Sequence, residues 1–330
     1  MQLIIILGGF ASMAKQTIKR FDTDTIGDLF NDFYREKTAC NRSASTLRNY
    51  KQSYEYFLTY NELTTATPAD TITVNHIYTW IEKMKEQETK ASTMNHYLRD
   101  IRTFLYWCMD CGKVESFKIH LTEAQQEIPK HFSDTDLKKL TEKPAKRADY
   151  TEWRVWAVVN WILATGNRAG TVCNIKMQDI DFNAKTVTIT YTKRKKAQIL
   201  PMSSGLEKAL KEYINMWRKY AADDDYLFST VCEEKLTVNA LSHSFQKYCA
   251  RREVKQTNLH GLRHSFARNW IINGGNEFKL QKVLGHSSLD MTRKYVTLYS
   301  DDLRQDYESF SALDTITSGK NRTHTIKRCI

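Results

Sequence analysis

Apolar side chains recur every three or four residues through the first third of the chain. The recurring positions form four sets: Ile26, Leu29 and Phe33; Leu47, Tyr50, Tyr54, Phe57 and Leu58; Ile77, Trp80 and Ile81; Met94, Tyr97, Ile101 and Phe104. This spacing puts each set on one face of an α-helix. Ser43 and Ser45 precede the second set, and Ser92 and Thr93 precede the fourth, as capping residues would. The pattern predicts an all-helical domain over residues 24–117.

The pattern changes after this helical region. A polar stretch containing Pro129 is typical of an exposed linker between domains, and we place it at residues 118–130. A new capped helix is expected to begin near Ser133. Further on, the strongly apolar run from Trp153 to Thr165 predicts a buried helix that ends at Gly166, and its tryptophans should lie in the core.

A short region of alternating residues interrupts the helical pattern. Residues 180–192 alternate between apolar and polar about a turn at Asn183, and the apolar segment ILPM follows a basic loop. Helical spacing resumes from Leu206. The second domain, residues 131–313, is therefore predicted to be α+β, and the whole chain mostly α with a small antiparallel β-sheet. Residues 1–23 form an N-terminal extension and residues 314–330 a basic tail.

The composition excludes several classes of protein. Hydrophobic residues make up 41% and charged residues 26% of the 330 residues, as in ordinary globular proteins rather than disordered or fibrous ones. Only 12 glycines and 4 prolines occur, so few residues break helices. The formal net charge of +11 favours a polyanionic partner, with nucleic acid ahead of an anionic membrane surface.

Two further features concern the cellular location. Seven scattered cysteines, an odd number, fit a reducing cytoplasm better than a disulfide-stapled secreted fold. The apolar run that opens the sequence is shorter than the roughly 20 residues that span a bilayer. We therefore expect a cytoplasmic protein that has no membrane partner.

Five short clusters in the second half carry candidate chemistry. They are ATGNR ending at Arg168, YTKRKKAQILP around Lys193, HGLRH from His260 to His264, LGH ending at His286, and RKYV around Tyr295. Each cluster alone is a weak signal, but the order of all five is a strong one. Together they resemble the tyrosine recombinase (phage integrase) family, whose catalytic residues follow the order Arg, Lys, His-x-x-Arg, His, Tyr.

The spacing within the clusters strengthens this resemblance. His260 and Arg263 are three residues apart, His286 lies nine positions before Tyr295, and Lys193 lies eight before Pro201, as the family pattern requires. One position departs from the pattern. Where many members carry an acidic residue three positions after the first arginine, this chain has Thr171, which could still supply a supporting hydrogen bond.

The resemblance implies both a fold and a set of site residues. It implies an N-terminal SAM-like core-binding domain followed by the catalytic domain. It also implies six catalytic residues and no metal or other cofactor. The six are Arg168, Lys193, His260, Arg263, His286 and the nucleophile Tyr295. By the same resemblance, Lys193 donates a proton to the departing 5′ oxygen.

Physical chemistry gives most of these residues roles without the family name. A phosphodiester is an anion, and its transition state gathers charge on the nonbridging oxygens. Arg168 and Arg263 offer permanently charged, planar forks for those oxygens. His260 and His286 suit proton movement near neutral pH or hydrogen bonding to the phosphate. Tyr295 is a poor nucleophile until neighbouring positive charges favour its phenolate.

Some assignments keep alternatives. Lys195 and Lys196 compete with Lys193, and Tyr299 lies one helical turn beyond Tyr295, although the spacing from His286 favours Tyr295. His264 is expected to be a packed or supporting histidine rather than a catalyst.

Basic residues in the first domain are candidates for phosphate contacts, although any of them could simply belong to a solvated face. These DNA-binding candidates are Arg42, Arg48, Lys51, Arg99 and Arg102. The expected partner is double-stranded DNA at core recombination sites.

The expected function is site-specific DNA recombination. Strands would be cut and rejoined through a 3′-phosphotyrosyl intermediate and a Holliday junction, by a homotetramer with possible accessory factors, for integration or excision of a mobile element. The alternatives are a Xer-type resolvase of chromosome dimers and a DNA-relaxing enzyme of the type IB topoisomerase kind. The family further suggests that the segment after Tyr295 docks on a neighbouring protomer, with packing on its own domain as the alternative.

Overall fold

The structure is a computed structural model that describes residues 24–123, 130–190 and 197–285 together with Arg293 and Tyr295. The chain divides into two compact units, residues 1–127 and 128–330. The fold is mostly helical with one small antiparallel sheet in the second unit, which confirms the predicted fold class. Across the described ranges, no helix has the length and apolar character needed to cross a membrane.

The described part of the first unit contains four α-helices. They are α1 (Ile26–Ala39), α2 (Ala44–Tyr60), α3 (Val74–Glu86) and α4 (Ala91–Asp110), with a short 3₁₀ turn at Ala69–Thr71. Each helix covers one of the four predicted apolar sets. The apolar faces meet in a single core rich in aromatic rings, in which Phe33, Phe57 and Trp80 are fully buried.

The helix starts only partly match the predicted caps. Ser43 caps α2 through its side chain, but Ser45 lies inside the helix. The prediction for Ser92 and Thr93 was wrong, because α4 already begins at Ala91 with Lys90 as N-cap. The amides of Thr93 and Met94 both donate to the Lys90 carbonyl, so no hydroxyl is needed to start the turn.

The second unit has seven described α-helices and three strands. The helices before the sheet are α5 (Asp134–Thr141), α6 (Tyr150–Thr165) and α7 (Ala169–Val172). The helices after it are α8 (Ser204–Tyr213), continued by a π-helical turn at Ile214–Arg218, then α9 (Val238–Arg251), α10 (Leu259–Ile272) and α11 (Glu277–Leu284). Ser133 caps α5 and Gly166 ends α6, as predicted.

The sheet has the predicted antiparallel form. Its strands, β1 (Ile180–Asp181), β2 (Thr186–Ile189) and β3 (Gln198–Pro201), lie in the order β1-β2-β3. Val187 pairs with both Ile180 and Leu200 and is buried, because alternate residues of β2 face the core. The turn after β1 is held by the Asp181 carboxylate, which accepts hydrogen bonds from the amides of Asn183 and Ala184.

Helix α6 lies at the centre of the second unit. It packs against α5, α8, α9 and α10 and is buried on nearly all sides, including Trp153, Trp156 and Trp161. A helix that is apolar all round is expected in such a position. Because α6 is fixed in the core and packs on α10, the loop that follows it is brought to the helix that carries the His-x-x-Arg motif.

Candidate active site

Helix α10 carries three of the side chains of the candidate active site. His260, Arg263 and His264 occupy positions i, i+3 and i+4, which share one face of a helix. The Asn258 side chain caps α10 by accepting a hydrogen bond from the His260 amide. The rings of His260 and His264 lie edge to face, with centroids 4.6 Å apart.

Arg263 is almost completely buried, with 2% of its surface exposed. Its Nη1 donates to the Gly166 carbonyl at 2.6 Å and its Nη2 to the Leu284 carbonyl at 2.9 Å, so it joins the ends of α6 and α11 to α10. Burial, followed by the charge of Arg168, lowers the pKa of Arg263 to about 10. A pKa of that size leaves the guanidinium charged at neutral pH.

The loop that carries Arg168 is held in shape by the end of α6. Gly166 has a left-handed backbone, with φ of 65°, which reverses the chain at the helix end. The buried Asn167 accepts a 2.9 Å hydrogen bond from the indole nitrogen of Trp161. Arg168 is half-buried and forms the N-cap of α7. The tight end of α6 thus delivers Arg168 to the vicinity of α10.

Arg168 is the common electrostatic neighbour of His260 and Arg263. Desolvation lowers the pKa of both residues, and the charge of Arg168 lowers it further. For His260 the larger causes are desolvation of the ring and the charge of Arg263, although part of the residue is exposed to solvent. Because the pKa of His260 falls below its ordinary value, the imidazole is neutral at pH 7.

Thr171, which stands where many family members carry an acidic residue, contacts Arg168 through the backbone. The Thr171 amide donates to the Arg168 carbonyl at 2.8 Å. Any residue except proline could make this hydrogen bond. The contact therefore supports the turn into α7 and does not depend on the threonine side chain.

Tyr295 lies against α10 and α11. It is 5% exposed and packs with Phe266, Ala267, Leu280 and Leu284. Its hydroxyl oxygen lies 2.6 Å from Nδ1 of His264. Burial lowers the pKa of Arg263, and the electrostatic interaction of Arg263 with Tyr295 acts in the opposite direction. The phenol oxygen is therefore next to the charged and imidazole groups of α10.

Four of the six predicted catalytic residues thus come together in one region of the second unit: Arg168, His260, Arg263 and Tyr295. Lys193 and His286 lie outside the described residues. On the C-terminal side of Lys193, the Gln198 side chain donates to the Lys282 carbonyl at 2.8 Å, which ties β3 to α11.

Sequence reasoning missed the direct contact of His264 with Tyr295. His264 was expected to be a packed or supporting residue, and it touches the hydroxyl of the predicted nucleophile. One signal was available, because His264 follows His260 by four residues and therefore shares its helix face. The hydrogen bond from Trp161 to Asn167 left no comparable signal in the sequence.

The DNA-binding candidates of the first unit occupy more than one surface. Arg48 and Lys51 are exposed on α2, where Lys51 lies 3.8 Å from the Glu55 carboxylate. Arg42 is exposed in the turn between α1 and α2. These three residues form what we call the α2 group.

The other two candidates lie on α4. Arg99 and Arg102 share the helix face of Asn95 and Tyr106. Asn95 exchanges hydrogen bonds with Thr122, and the Tyr106 hydroxyl accepts from the Ile119 amide. The opposite flank of α4 faces α2, where Asp100 accepts from Ser53. Arg99 and Arg102, the α4 group, are therefore on a different side of α4 from the α2 contact.

Two family models match the chain. The model described as "Phage integrase family" matches residues 130–301, and the model "Phage integrase, N-terminal SAM-like domain" matches residues 30–112. Together with the fold, these matches define an enzyme of the tyrosine recombinase class, which transfers DNA strands. The chain belongs to the phage integrase family.

Relatives of known name agree with this assignment. A tyrosine recombinase of Pseudothermotoga lettingae is 28% identical over 73% of this chain and 81% of its own length. Tyrosine recombinase XerC of Oceanobacillus iheyensis is 25% identical over 85% of this chain and 95% of its own length.

Solved structures share the fold. The Tn1549 transposon integrase, in complex with a circular intermediate DNA, superposes with a TM-score of 0.67 at 19% identity, over 82% of this chain and 94% of that one. A lambda integrase dimer bound to a core site has a TM-score of 0.66 at 15% identity, over 82% and 95%.

Proposed function

We propose that this recombinase cuts DNA by attack of the Tyr295 hydroxyl on a backbone phosphorus. The attack forms a 3′-phosphotyrosyl bond and releases a 5′-hydroxyl. The observation that carries the proposal is the position of the Tyr295 hydroxyl beside a helix that presents Arg263 and two imidazoles, with Arg168 close to that helix. The bond energy is kept in the protein–DNA link, so rejoining needs no nucleotide cofactor.

The two arginines provide the positive charge of the proposed site. Arg168 and Arg263 bind the nonbridging oxygens, where negative charge grows in the transition state. The neutral His260 donates a hydrogen bond to the same phosphate. His286 does likewise, and Lys193 protonates the departing 5′ oxygen. These last two roles rest on family resemblance. The chemistry uses no metal.

The proposed reaction exchanges strands between two duplexes in a homotetramer. Each released 5′-hydroxyl attacks the phosphotyrosyl bond of the other duplex, so a Holliday junction forms after the first exchange and is resolved by the second. One of the solved structures with this fold is described as a lambda integrase tetramer bound to a Holliday junction. We place the reaction in the cytoplasm, on double-stranded core sites, with accessory factors able to set its direction.

The proposed setting is integration or excision of a mobile DNA element. It is supported by the fold shared with the Tn1549 and lambda integrases. A Xer-type role in resolving chromosome dimers is the second candidate, favoured by relatives whose names include XerC and XerD. The two roles can be separated by isolating the genomic DNA sites that the protein binds and mapping their positions. A mobile element is bounded by its own recombination sites, whereas a chromosome-dimer site lies at a fixed chromosomal position.

A nicked suicide substrate tests the chemistry. The duplex would be selected from a random-sequence pool by binding to the Tyr295→Phe protein and then nicked close to the cleavage point. We expect the unaltered protein to become covalently attached to the 3′ end and Tyr295→Phe to bind equally well without forming the adduct.

Two outcomes would contradict this proposal. An adduct that survives in Tyr295→Phe and disappears in Tyr299→Phe would move the nucleophile to Tyr299. Relaxation of supercoiled DNA without recombinant products would assign the protein to the topoisomerase alternative. Tyr299→Phe is also the matched control, because it removes a tyrosine hydroxyl only four residues further along the chain.

A further inference from the structure

The hydrogen bond between Tyr295 and His264 involves the atom that the proposed function makes the nucleophile. The oxygen–nitrogen distance is 2.6 Å. That distance is shorter than the usual range of N–H···O bonds and lies within the range of bonds donated by hydroxyl groups. A phenol is also a stronger acid than a neutral imidazole N–H. On these two grounds we assign the Tyr295 hydroxyl as the donor and Nδ1 of His264 as the acceptor.

Nitrogen Nδ1 can accept this hydrogen bond only when the imidazole is neutral. Partial burial, followed by the charges of His260 and Arg263 on α10 and of His131 before α5, lowers the pKa of His264 to about 4. His264 is thus neutral throughout the physiological range. In this neutral form Nδ1 can accept the hydrogen bond of the Tyr295 hydroxyl, which lies 2.6 Å away.

We propose that His264 holds the Tyr295 hydroxyl in place and accepts its proton during attack on phosphorus. In this step the bond from Tyr295 oxygen to phosphorus forms as the bond from phosphorus to the 5′ oxygen breaks. The phenol proton moves to Nδ1 of His264, and the 5′ oxygen takes a proton from a separate acid. No oxidant or other reactant enters. The inference rests on the proposed function, since it needs Tyr295 as nucleophile.

The bound DNA makes His264 a better base than it is in the free protein. Like-charged neighbours are part of what holds its pKa down. A phosphate anion bound by Arg168 and Arg263 counters those charges and favours the imidazolium form. The pKa of His264 therefore rises when DNA binds. Without DNA, His264 is a weak base, so the Tyr295 phenol stays protonated and packed against α10 and α11.

Two substitutions test this role on the suicide substrate, with single-turnover cleavage as the measurement. His264→Leu removes the acceptor, and His264→Asn keeps an acceptor oxygen near the Nδ1 position but no basic nitrogen. We expect DNA binding to be unchanged in both and cleavage at pH 7 to fall about 100-fold in His264→Leu, the usual contribution of a general base. His264→Asn should cleave at least about tenfold more slowly than the unaltered protein.

The pH profile separates proton acceptance from packing. Without a base, attack requires prior ionisation of the phenol, so the logarithm of the cleavage rate in both variants should rise with a slope near 1 between about pH 7 and pH 9. The unaltered protein should show a flatter profile. His243→Asn, at an exposed histidine on α9, is the matched control and should cleave normally.

The inference would be overturned by normal cleavage in His264→Asn, or by variants whose pH profile parallels that of the unaltered protein. If His264→Leu does not fold, His264→Asn alone gives the same decision. Failure of the proposed function is recognised separately, because the unaltered protein would then form no adduct on the same substrate, or Tyr295→Phe would still form one.

Discussion

The two units of this chain bury different kinds of side chain. The core of the first unit is built largely from aromatic and aliphatic groups, such as the stacked rings of Phe30 and Tyr54, whose centroids are 3.9 Å apart. Among the described residues, the buried charged side chains all lie in the second unit, and they are Arg154, Asp179, Arg218 and Arg263. The first unit is thus stabilised by packing, while the second keeps ionised groups inside it.

The buried arginines differ in what their hydrogen bonds do to the charge. Arg218 donates to the Glu233 carboxylate at 2.8 Å, so its charge is largely balanced. Arg263 donates to two backbone carbonyls, which are uncharged acceptors and do not themselves neutralise the guanidinium. A retained charge costs stability and is useful where an anion must be bound. The second unit thus holds a buried guanidinium beside the candidate site, where it is positioned before any anion binds.

Loss of Arg263 should have the largest effect on the second unit. Arg263→Ala is expected to slow cleavage about 10³-fold, near 4 kcal/mol, because a preplaced charge is lost from the transition state. It should also destabilise the fold, since the Gly166 and Leu284 carbonyls lose their donor. Single-turnover cleavage and denaturant unfolding measure the two effects.

Arg168→Ala serves as the comparison for Arg263→Ala. It should slow cleavage by a similar factor with a smaller loss of stability, because Arg168 is only half-buried. A decrease in cleavage rate of less than about tenfold in both variants would contradict the role of the two arginines in binding the phosphate.

In the first unit, the largest effect should come from an aromatic residue. Trp80 is fully buried and meets Phe57 edge to face, so Trp80→Ala is expected to lower the free energy of unfolding of this unit by about 3–5 kcal/mol. Tyr78→Ala is the control. Because Tyr78 is 50% exposed, this substitution should change the free energy of unfolding by less than about 0.5 kcal/mol. Equal losses of stability in the two variants would show that packing does not dominate this unit.

A smaller effect is expected at the turn that leads to Arg168. A Cβ on Gly166 would lie 2.5 Å from Phe266 and 2.7 Å from Leu284, and the backbone is left-handed. Gly166→Ala should therefore cost about 2 kcal/mol of stability and slow cleavage by displacing Arg168. In Gly205→Ala, the control, the added Cβ meets nothing within 4 Å, so the midpoint temperature of thermal unfolding should be unchanged or slightly higher.

The smallest effects belong to the exposed basic residues of the first unit. If the α2 group contacts DNA, Arg48→Ala should reduce the slope of log affinity against log salt by about 0.9, the value for one phosphate contact. Arg99→Ala tests the α4 group in the same way. Lys85→Ala, at an exposed residue of α3, is the control. A lower slope in only one group would identify the helix surface that faces DNA.

Much of the fold could be predicted from local patterns. The apolar sets predicted the four helices described in the first unit, and the Asn183 turn with its alternating residues predicted β1 and β2, because periodicity reflects burial of one face. The starts of helices were less predictable. Ser92 does not cap α4, since the helix already begins at Ala91, with Lys90 as N-cap.

The sequence by itself determined the class of this protein, through the order and spacing of Arg168, His260, Arg263 and Tyr295 within helical and loop segments. Tertiary structure decided the environment of these groups. Burial of Arg263, its bonds to the ends of two other helices and the contact of His264 with Tyr295 join residues up to 97 positions apart. Spacing along a chain reports which residues share a helix face, whereas the distance and charge of a neighbour from another element depend on how the elements pack.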